Sequence, residues 1–305
     1  MSFAPITVFA YNRPWHLRQT IESLKRNRLA KESELFIFSD GPKDEKDQKK
    51  VEEVRKYLRE INGFKRISKT ERPKNLGLAD SIISGVTEIV NKYGKIIVLE
   101  DDLLTSPYFL KFMNEGLNFY EKEEKVGCIH GYVYPVKGEL PKTFFLKDPG
   151  CLGWATWKRG WELFEHDGRK LLIELNKRNL TSEFNYNNSY FFTKILKGQI
   201  RGKIDSWAIR WYASIFLKDK LVLYPGKSLV FHNGADNTGT NCGFLREFDV
   251  EISNQPIFLN KIPIEENTQV FNTYVAYFKS IKPPIFFRFI KKLSRKIYKL
   301  WRFGK

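Results

Sequence analysis

The chain has 305 residues, 42% of them hydrophobic and 15% aromatic, and carries 52 Lys and Arg against 35 Asp and Glu for a net charge of +17. That composition buries a sizeable core in one domain, or one domain with an appendage, and excludes a disordered, collagenous or disulfide-stapled chain. Cys128, Cys151 and Cys242 form no CxxC and no His/Cys pair at zinc spacing, which fits a reduced compartment.

Met1 to Pro14 has no basic stretch ahead of its apolar run, so it reads as a first strand, Ile6 to Tyr11, and not as a signal peptide. No stretch is both long and apolar enough to span a bilayer, and the cytoplasm is the expected location. Short β-rich runs then alternate with helical patterns, the signature of a parallel sheet covered by helices. The further strands are Leu35 to Ser39, Phe64 to Lys69 and Lys95 to Leu99. The helices are Pro14 to Asn27, opened by a proline in its first turn, Lys43 to Ile61, Leu78 to Lys92, and Pro107 to Lys122 behind a Ser106 cap. Beyond residue 126 the pattern becomes irregular and aromatic, with one helical stretch near Ser206 to Leu217. Three portions result: 1–125, 126–250, which looks like the substrate-shaping half, and a 251–305 extension.

Ligands of open α/β sheets bind beyond the carboxyl ends of the parallel strands. There the sequence offers Asn12-Arg13, Asp40-Gly41, Asn75-Leu76-Gly77 and Glu100-Asp101-Asp102. No GxGxxG follows the first strand, and Leu221 stands where a P-loop ending in Gly226-Lys227-Ser228 would need its first glycine. Three adjacent carboxylates at the end of a buried strand raise one another's pKa unless a cation neutralises them, and hard oxygen ligands select Mg²⁺ or Mn²⁺. The alternative is that these acids merely open the next helix.

Tyr11-Asn12-Arg13-Pro14, Phe38-Ser39-Asp40-Gly41, Val98 to Leu103 with Ser106-Pro107, and Gly150-Cys151-Leu152-Gly153-Trp154 resemble the GT-A fold nucleotide-sugar glycosyltransferases. The pattern is nearest to the inverting N-acetylglucosaminyltransferase I type and related bacterial polysaccharide enzymes, and it runs from about Ile6 to Gly243. The resemblance implies an α/β, Rossmann-like sheet and transfer of a hexosyl or N-acetylhexosaminyl group, UDP being the favoured nucleotide. It implies that Arg13 binds the donor diphosphate, that Asp40 reads the base, and that Glu100 and Asp101 line the nucleotide pocket. Asp102 would hold Mn²⁺ or Mg²⁺, while Gly153 and Trp154 would shape the sugar site, with Trp154 and Trp157 as stacking surfaces or as ordinary core. Asp205 stands where the family carries its catalytic base, or else caps the helix that follows. His232 stands where many GT-A enzymes place a second metal ligand, a structural histidine being the alternative. Tyr132 and Tyr134 could meet the acceptor, His16, His130 and His166 have no comparable setting, and Asn233 to Gly243 reads as a loop that closes over the donor.

The charge is concentrated at one end. Ten Lys or Arg and no acid lie in 279–305, leaving +7 for the first 278 residues. Over about 284–303, Phe286, Phe289, Ile290, Leu293, Ile297, Leu300 and Trp301 fall opposite Arg288, Lys291, Lys292, Arg295, Lys299 and Arg302, a basic amphipathic helix suited to an anionic membrane surface or packed on the domain. The sequence thus points to a metal-dependent inverting glycosyltransferase, peripheral on the inner membrane face, acting on a glycan or lipid-linked acceptor in bacterial surface polysaccharide synthesis. Two rivals fit less well. A sugar nucleotidyltransferase needs a glycine-rich triphosphate loop that Asn12-Arg13-Pro14-Trp15 is not. A basic nucleic-acid-binding protein needs a continuous cationic face, and the strand ends here are acidic.

Overall fold

A computed structural model of the chain describes residues 3–236 and 246–281. The elements run β1 Ile6–Ala10, α1 Pro14–Lys25, β2 Glu34–Ser39, α2 Glu45–Glu60, β3 Arg66–Glu71, α3 Leu78–Tyr93, β4 Lys95–Glu100, β5 Leu103–Thr105 and α4 Phe109–Phe119. They continue β6 Val126–His130, β7 Thr143–Leu146, β8 Trp154–Trp157, α5 Lys158–Trp161, α6 Gly168–Lys177, α7 Thr181–Phe184, α8 Phe192–Ile200, α9 Trp207–Leu217, β9 Leu221–Pro225, β10 Val230–His232 and α10 Thr268–Ser280.

Local chemistry sets these boundaries. Pro14, whose missing N–H costs nothing in a first turn, opens α1. Asp44 caps α2 by accepting from the Lys46 amide, with Glu45 and Asp47 favourably placed in the first turn. Gly94, at φ +77°, ends α3 in the left-handed conformation open to glycine. Ser106 bonds the Tyr108 amide, so the chain makes a turn there and α4 begins two residues later than expected.

Eight strands form one sheet in the order β3-β2-β1-β4-β8-β6-β9-β7. β3, β2, β1 and β4 run parallel, while β8 is antiparallel to both β4 and β6 and joins the two portions of the sheet. β1 and β4 are buried along almost their whole length, as a sheet covered on both faces requires. Alternate residues feed two cores. Ile6, Val8, Ile97 and Leu99 pack with Leu17, Val54 and Leu117 of α1, α2 and α4, whereas Phe9, Ile96 and Val98 pack with Ile82, Val86 and Ile215 of α3 and α9. β5 pairs with β10 in a separate antiparallel ribbon that sets His232 opposite Leu103, one residue past Asp102. This is the expected mostly parallel α/β sheet flanked by helices.

Beyond 250, α10 docks on the domain through Val270, Tyr274 and Phe278. The basic helix expected over 284–303 lies outside the described residues, as does most of the expected donor loop. Among the described residues no helix is long and apolar enough to cross a membrane.

Candidate active site

The carboxyl ends of β1 and β4 and the end of β10 with the chain after it bring five expected residues and two unexpected ones together. Glu100 ends β4, and the turn after it presents Asp101 inward and Asp102 toward Arg13, the residue preceding α1. Arg13 Nη1 donates to Asp102 Oδ2 at 2.5 Å, and His232 Nε2 lies 3.3 Å from the same oxygen. Gly234 permits this closeness: a Cβ there would sit 2.1 Å from Asp102 Oδ2 and 2.8 Å from His232 Nε2.

Arg13 and His232 offset the predicted repulsion at Asp102 alone. Burial alone would raise the Asp102 pKa, but hydrogen bonding and charge from His232 and Arg13 outweigh it and hold the carboxyl below its ordinary value. Glu100 and Asp101 go the other way. Burial first, then the Asp102 charge, raises both. Asp101 is also committed to structure, since its carboxylate accepts from the Tyr11 amide and its carbonyl from the Thr20 hydroxyl. It therefore ties β1 and α1 to the end of β4, while Glu100 bonds Trp207.

Asp205 is exposed and accepts from the Ala79 amide at 3.4 Å, at the start of α3 beside Gly77. The cap of α9 is made by Ser206, which accepts from the Ile209 amide, so Asp205 is not needed for that role. Trp207, two residues on, meets Glu100, which links this corner to the acidic triad.

Other expected positions have different surroundings. Asp40 is 4% exposed, and both carboxylate oxygens accept from the Leu76 and Gly77 amides. It clamps the loop after β3, so a base would meet that loop and not an open carboxylate. Trp154 is fully buried and stacks on Trp207 at 5.3 Å, with Trp161 and Trp211 around it. Trp157 donates to the Leu117 carbonyl under Arg159. Neither tryptophan is a sugar platform; both are core, because residues 154–157 form β8 in mid-sheet. Gly153 is likewise a packing glycine at φ +68°, where a Cβ would meet Val230 at 2.8 Å. Tyr132 donates to the Phe248 carbonyl, and Tyr134 is enclosed by Phe248, Tyr274 and Phe278, so α10 covers the pair foreseen for the acceptor.

Sequence reasoning missed His16 and Asp236. His16 Nε2 lies 3.0 Å from Asp236 Oδ2, and Asp236 Oδ1 lies 3.5 Å from Arg13 Nη2. Spacing was the available signal for His16, three residues after Arg13 and so on the same side of the first turn of α1.

The model for glycosyl transferase family 2 matches residues 6–170, more than half of the chain and the whole stretch that carries Arg13, Asp40 and the acidic triad. The chain belongs to glycosyl transferase family 2. The match gives no support to the narrower likeness to the N-acetylglucosaminyltransferase I type. No curated protein matches the chain. Solved structures are similar only distantly. S. aureus TarS 1–349 is 12% identical with a TM-score of 0.40, over 76% of this chain and 61% of that one, so this family 2 chain spans under two thirds of that relative. The mannosyltransferase PcManGT of Pyrobaculum calidifontis, solved with GDP-Man and Mn²⁺, is 12% identical with a TM-score of 0.39, over 71% and 75%. A UDP-glucose pyrophosphorylase solved with UDP-glucose is 11% identical with a TM-score of 0.38, over 74% and 91%.

The chemistry of the residues suits a divalent ion: the Asp102 carboxylate and the His232 imidazole lie 3.3 Å apart, and Mg²⁺ or Mn²⁺ characteristically takes one or two protein groups and completes its shell with water and phosphate. No cluster of three His, Cys, Asp or Glu is present among the described residues, so an ion here would depend on the donor phosphates for its remaining ligands.

Proposed function

We propose that this family 2 enzyme is a metal-dependent, inverting glycosyltransferase that moves a sugar from a nucleotide sugar, most simply a UDP sugar, to a hydroxyl of a glycan or lipid-linked acceptor in bacterial surface polysaccharide synthesis. The observation that carries the reading is the meeting of Arg13, Asp102 and His232 at the ends of β1, β4 and β10, with exposed Asp205 at the adjoining corner. Residues 1–125 supply the nucleotide half and 126–250 the acceptor half.

Asp102 and His232 would hold Mn²⁺ or Mg²⁺. The ion, when bound, supplies positive charge against the diphosphate leaving group. Arg13 contributes a fixed guanidinium whose N–H groups bind diphosphate oxygens and stabilise the charge that grows there as the anomeric C–O bond breaks. Asp205 accepts the proton of the acceptor hydroxyl while that oxygen bonds to the anomeric carbon from the side opposite the departing diphosphate, which inverts the centre. Asp40 acts one step back by fixing the Leu76-Gly77 loop beside the nucleotide. The basic segment 284–303 would hold the enzyme on an anionic membrane; truncation before Ile285 should release it from anionic vesicles, and undiminished binding would remove that role.

Titration calorimetry with UDP, GDP, TDP and CMP and their sugars, each with Mn²⁺ or chelator, tests the site in wild type and Asp102→Ala. One nucleotide should bind in a metal-dependent way and lose that dependence in the variant. Binding indifferent to both metal and Asp102 would eliminate the metal site.

A further inference from the structure

Arg13 and His16 are built into the fold, their side chains only 11% and 7% exposed on the first turn of α1. No side chain caps that turn and no acid lies within it, so the positive end of α1 is uncompensated by its own residues. What faces the two is the carboxylate of Asp236, 39% exposed and carried on the chain just after β10, with Gly234 O also 3.4 Å from Arg13 Nη2. The cationic and hydrogen-bonding partners are rigid and sheltered, while their anion is peripheral and replaceable. Two oxygens of one anion lie against one guanidinium and one imidazole, the pattern that a phosphate group also satisfies. Asp102, the other anion on Arg13, belongs to the acidic triad and stays in the site.

We infer that His16 is a second donor-phosphate-binding residue beside Arg13, and that Asp236 occupies their shared anion site until the donor diphosphate displaces it. The inference rests on the glycosyltransferase reading of this site. Displacement turns the contact into a coupling between occupancy and loop position. When the diphosphate takes Arg13 and His16, Asp236 must leave them, and residues 233–236 between it and β10 shift with it. Before the donor arrives, Asp236 keeps the guanidinium partly neutralised, so stray anions meet a site already filled.

Isothermal titration of wild type, Asp236→Asn, His16→Gln and His16→Ala with pyrophosphate, with the nucleoside diphosphate that wild type binds, and with the matching nucleoside tests this, all with Mn²⁺ present. Asp236→Asn, a near-isosteric loss of charge, should tighten pyrophosphate and nucleoside diphosphate by about two- to fivefold, the range expected for losing a partly exposed ion pair as competitor. His16→Ala should weaken both by a similar factor, with His16→Gln in between because its amide can still donate one hydrogen bond. The nucleoside, which has no phosphate, should bind all four proteins alike. Weaker diphosphate binding by Asp236→Asn would make Asp236 a ligand or positioning residue and overturn the inference. So would nucleoside affinity changing in step, or His16 variants binding diphosphate like wild type, while nucleotide-sugar turnover by wild type would leave the glycosyltransferase reading standing. If no protein of the set bound any diphosphate, the reading of the site would fall and the inference with it.

Discussion

Asp102 and Asp148 are both carboxylates in the interior of the same sheet's flanks, and they end in opposite states. Asp102 lies at the edge where β1 and β4 end, bonded to Arg13 and close to His232, and its pKa falls. Asp148 lies 5% exposed among the aromatic residues around β7 and β9, where its partners are neutral, the Gly150 amide and the Tyr186 hydroxyl, and burial pushes it up to about 6. The histidines also sit in different settings. His232 adjoins a carboxylate, whereas His130 is 3% exposed, finds no hydrogen-bond partner for either ring nitrogen among the described residues, and is driven by burial down to about 3. At the strand ends Asp102 is compensated by Arg13 and His232 from distant parts of the chain, while Glu100 and Asp101, buried beside its charge, are pushed up. In the aromatic half Asp148 and His130 are enclosed one at a time with no charged partner, and burial disfavours the charged form of each. A ligand with charges of its own can exchange partners in the first region and has nothing to exchange with in the second.

The largest expected effect separates the two regions by activity. Asp205→Asn should lower turnover by about 10²- to 10⁴-fold, the usual span for a general base, while donor affinity is retained. Steady-state rates beside a donor titration check it, and near-wild-type turnover would remove Asp205 as the base. The counterpart in the aromatic half is Trp154→Ala, which empties a fully buried indole from the stack with Trp207, Trp161 and Trp211 and should cost about 3–5 kcal/mol in urea unfolding. A sugar platform would give the reverse result, lost donor or acceptor affinity with stability intact.

That contrast also marks how far the sequence could be read. β1, β2 and β4 declare themselves as apolar runs followed by polar ends, because a strand buried on both faces has no polar positions to blur it. β3 lies two residues later than its pattern suggested, since this exposed edge strand carries little apolar signal and is placed by pairing Arg66 with Glu34 of β2. Trp154 was misread for a deeper reason. The glycines around it look like a binding loop, and only the long-range insertion of β8 between β4 and β6 turns that stretch into core. At the site, Arg13, Asp102 and His232 were legible because each ends a recognisable strand or opens a helix. Asp236 was not, since nothing local ties the chain after β10 to the first turn of α1.

Asp148 gives a pH-dependent way to sharpen the comparison. Its folded pKa of about 6 exceeds the ordinary 3.8, so the folded protein binds the proton more readily than the unfolded chain between those values. The stability associated with that proton is fully present below about pH 4 and is lost as pH rises through 6. Asp148→Asn keeps an acceptor for Gly150 and a polar partner for Tyr186 without the charge. It should therefore stabilise the protein by roughly 2–3 kcal/mol at pH 7.5, with the gain vanishing toward pH 4. Unfolding midpoints across that range decide it, and a pH-independent difference would mean that burial does not raise the carboxyl's pKa in the folded protein.

The smallest expected effect concerns Asp40, which shares features of both regions. Like Asp148 it is buried, and burial raises its pKa despite opposing hydrogen bonds from the Leu76 and Gly77 amides and the charge of Arg72. Like Asp102 it ends a parallel strand beside the site. Asp40→Asn leaves one oxygen to accept and turns an N–H group toward amides that themselves donate, so the Leu76-Gly77 loop should shift at a cost of about 1–2 kcal/mol. Because that loop adjoins Asp205 at Gly77, nucleotide affinity should fall together with stability, for every base alike. A change in preference among UDP, GDP and TDP with unfolding unaltered would instead make Asp40 a direct reader of the base. The clamp reading requires coupled losses because the same two amides define both the loop's position and the carboxylate's burial.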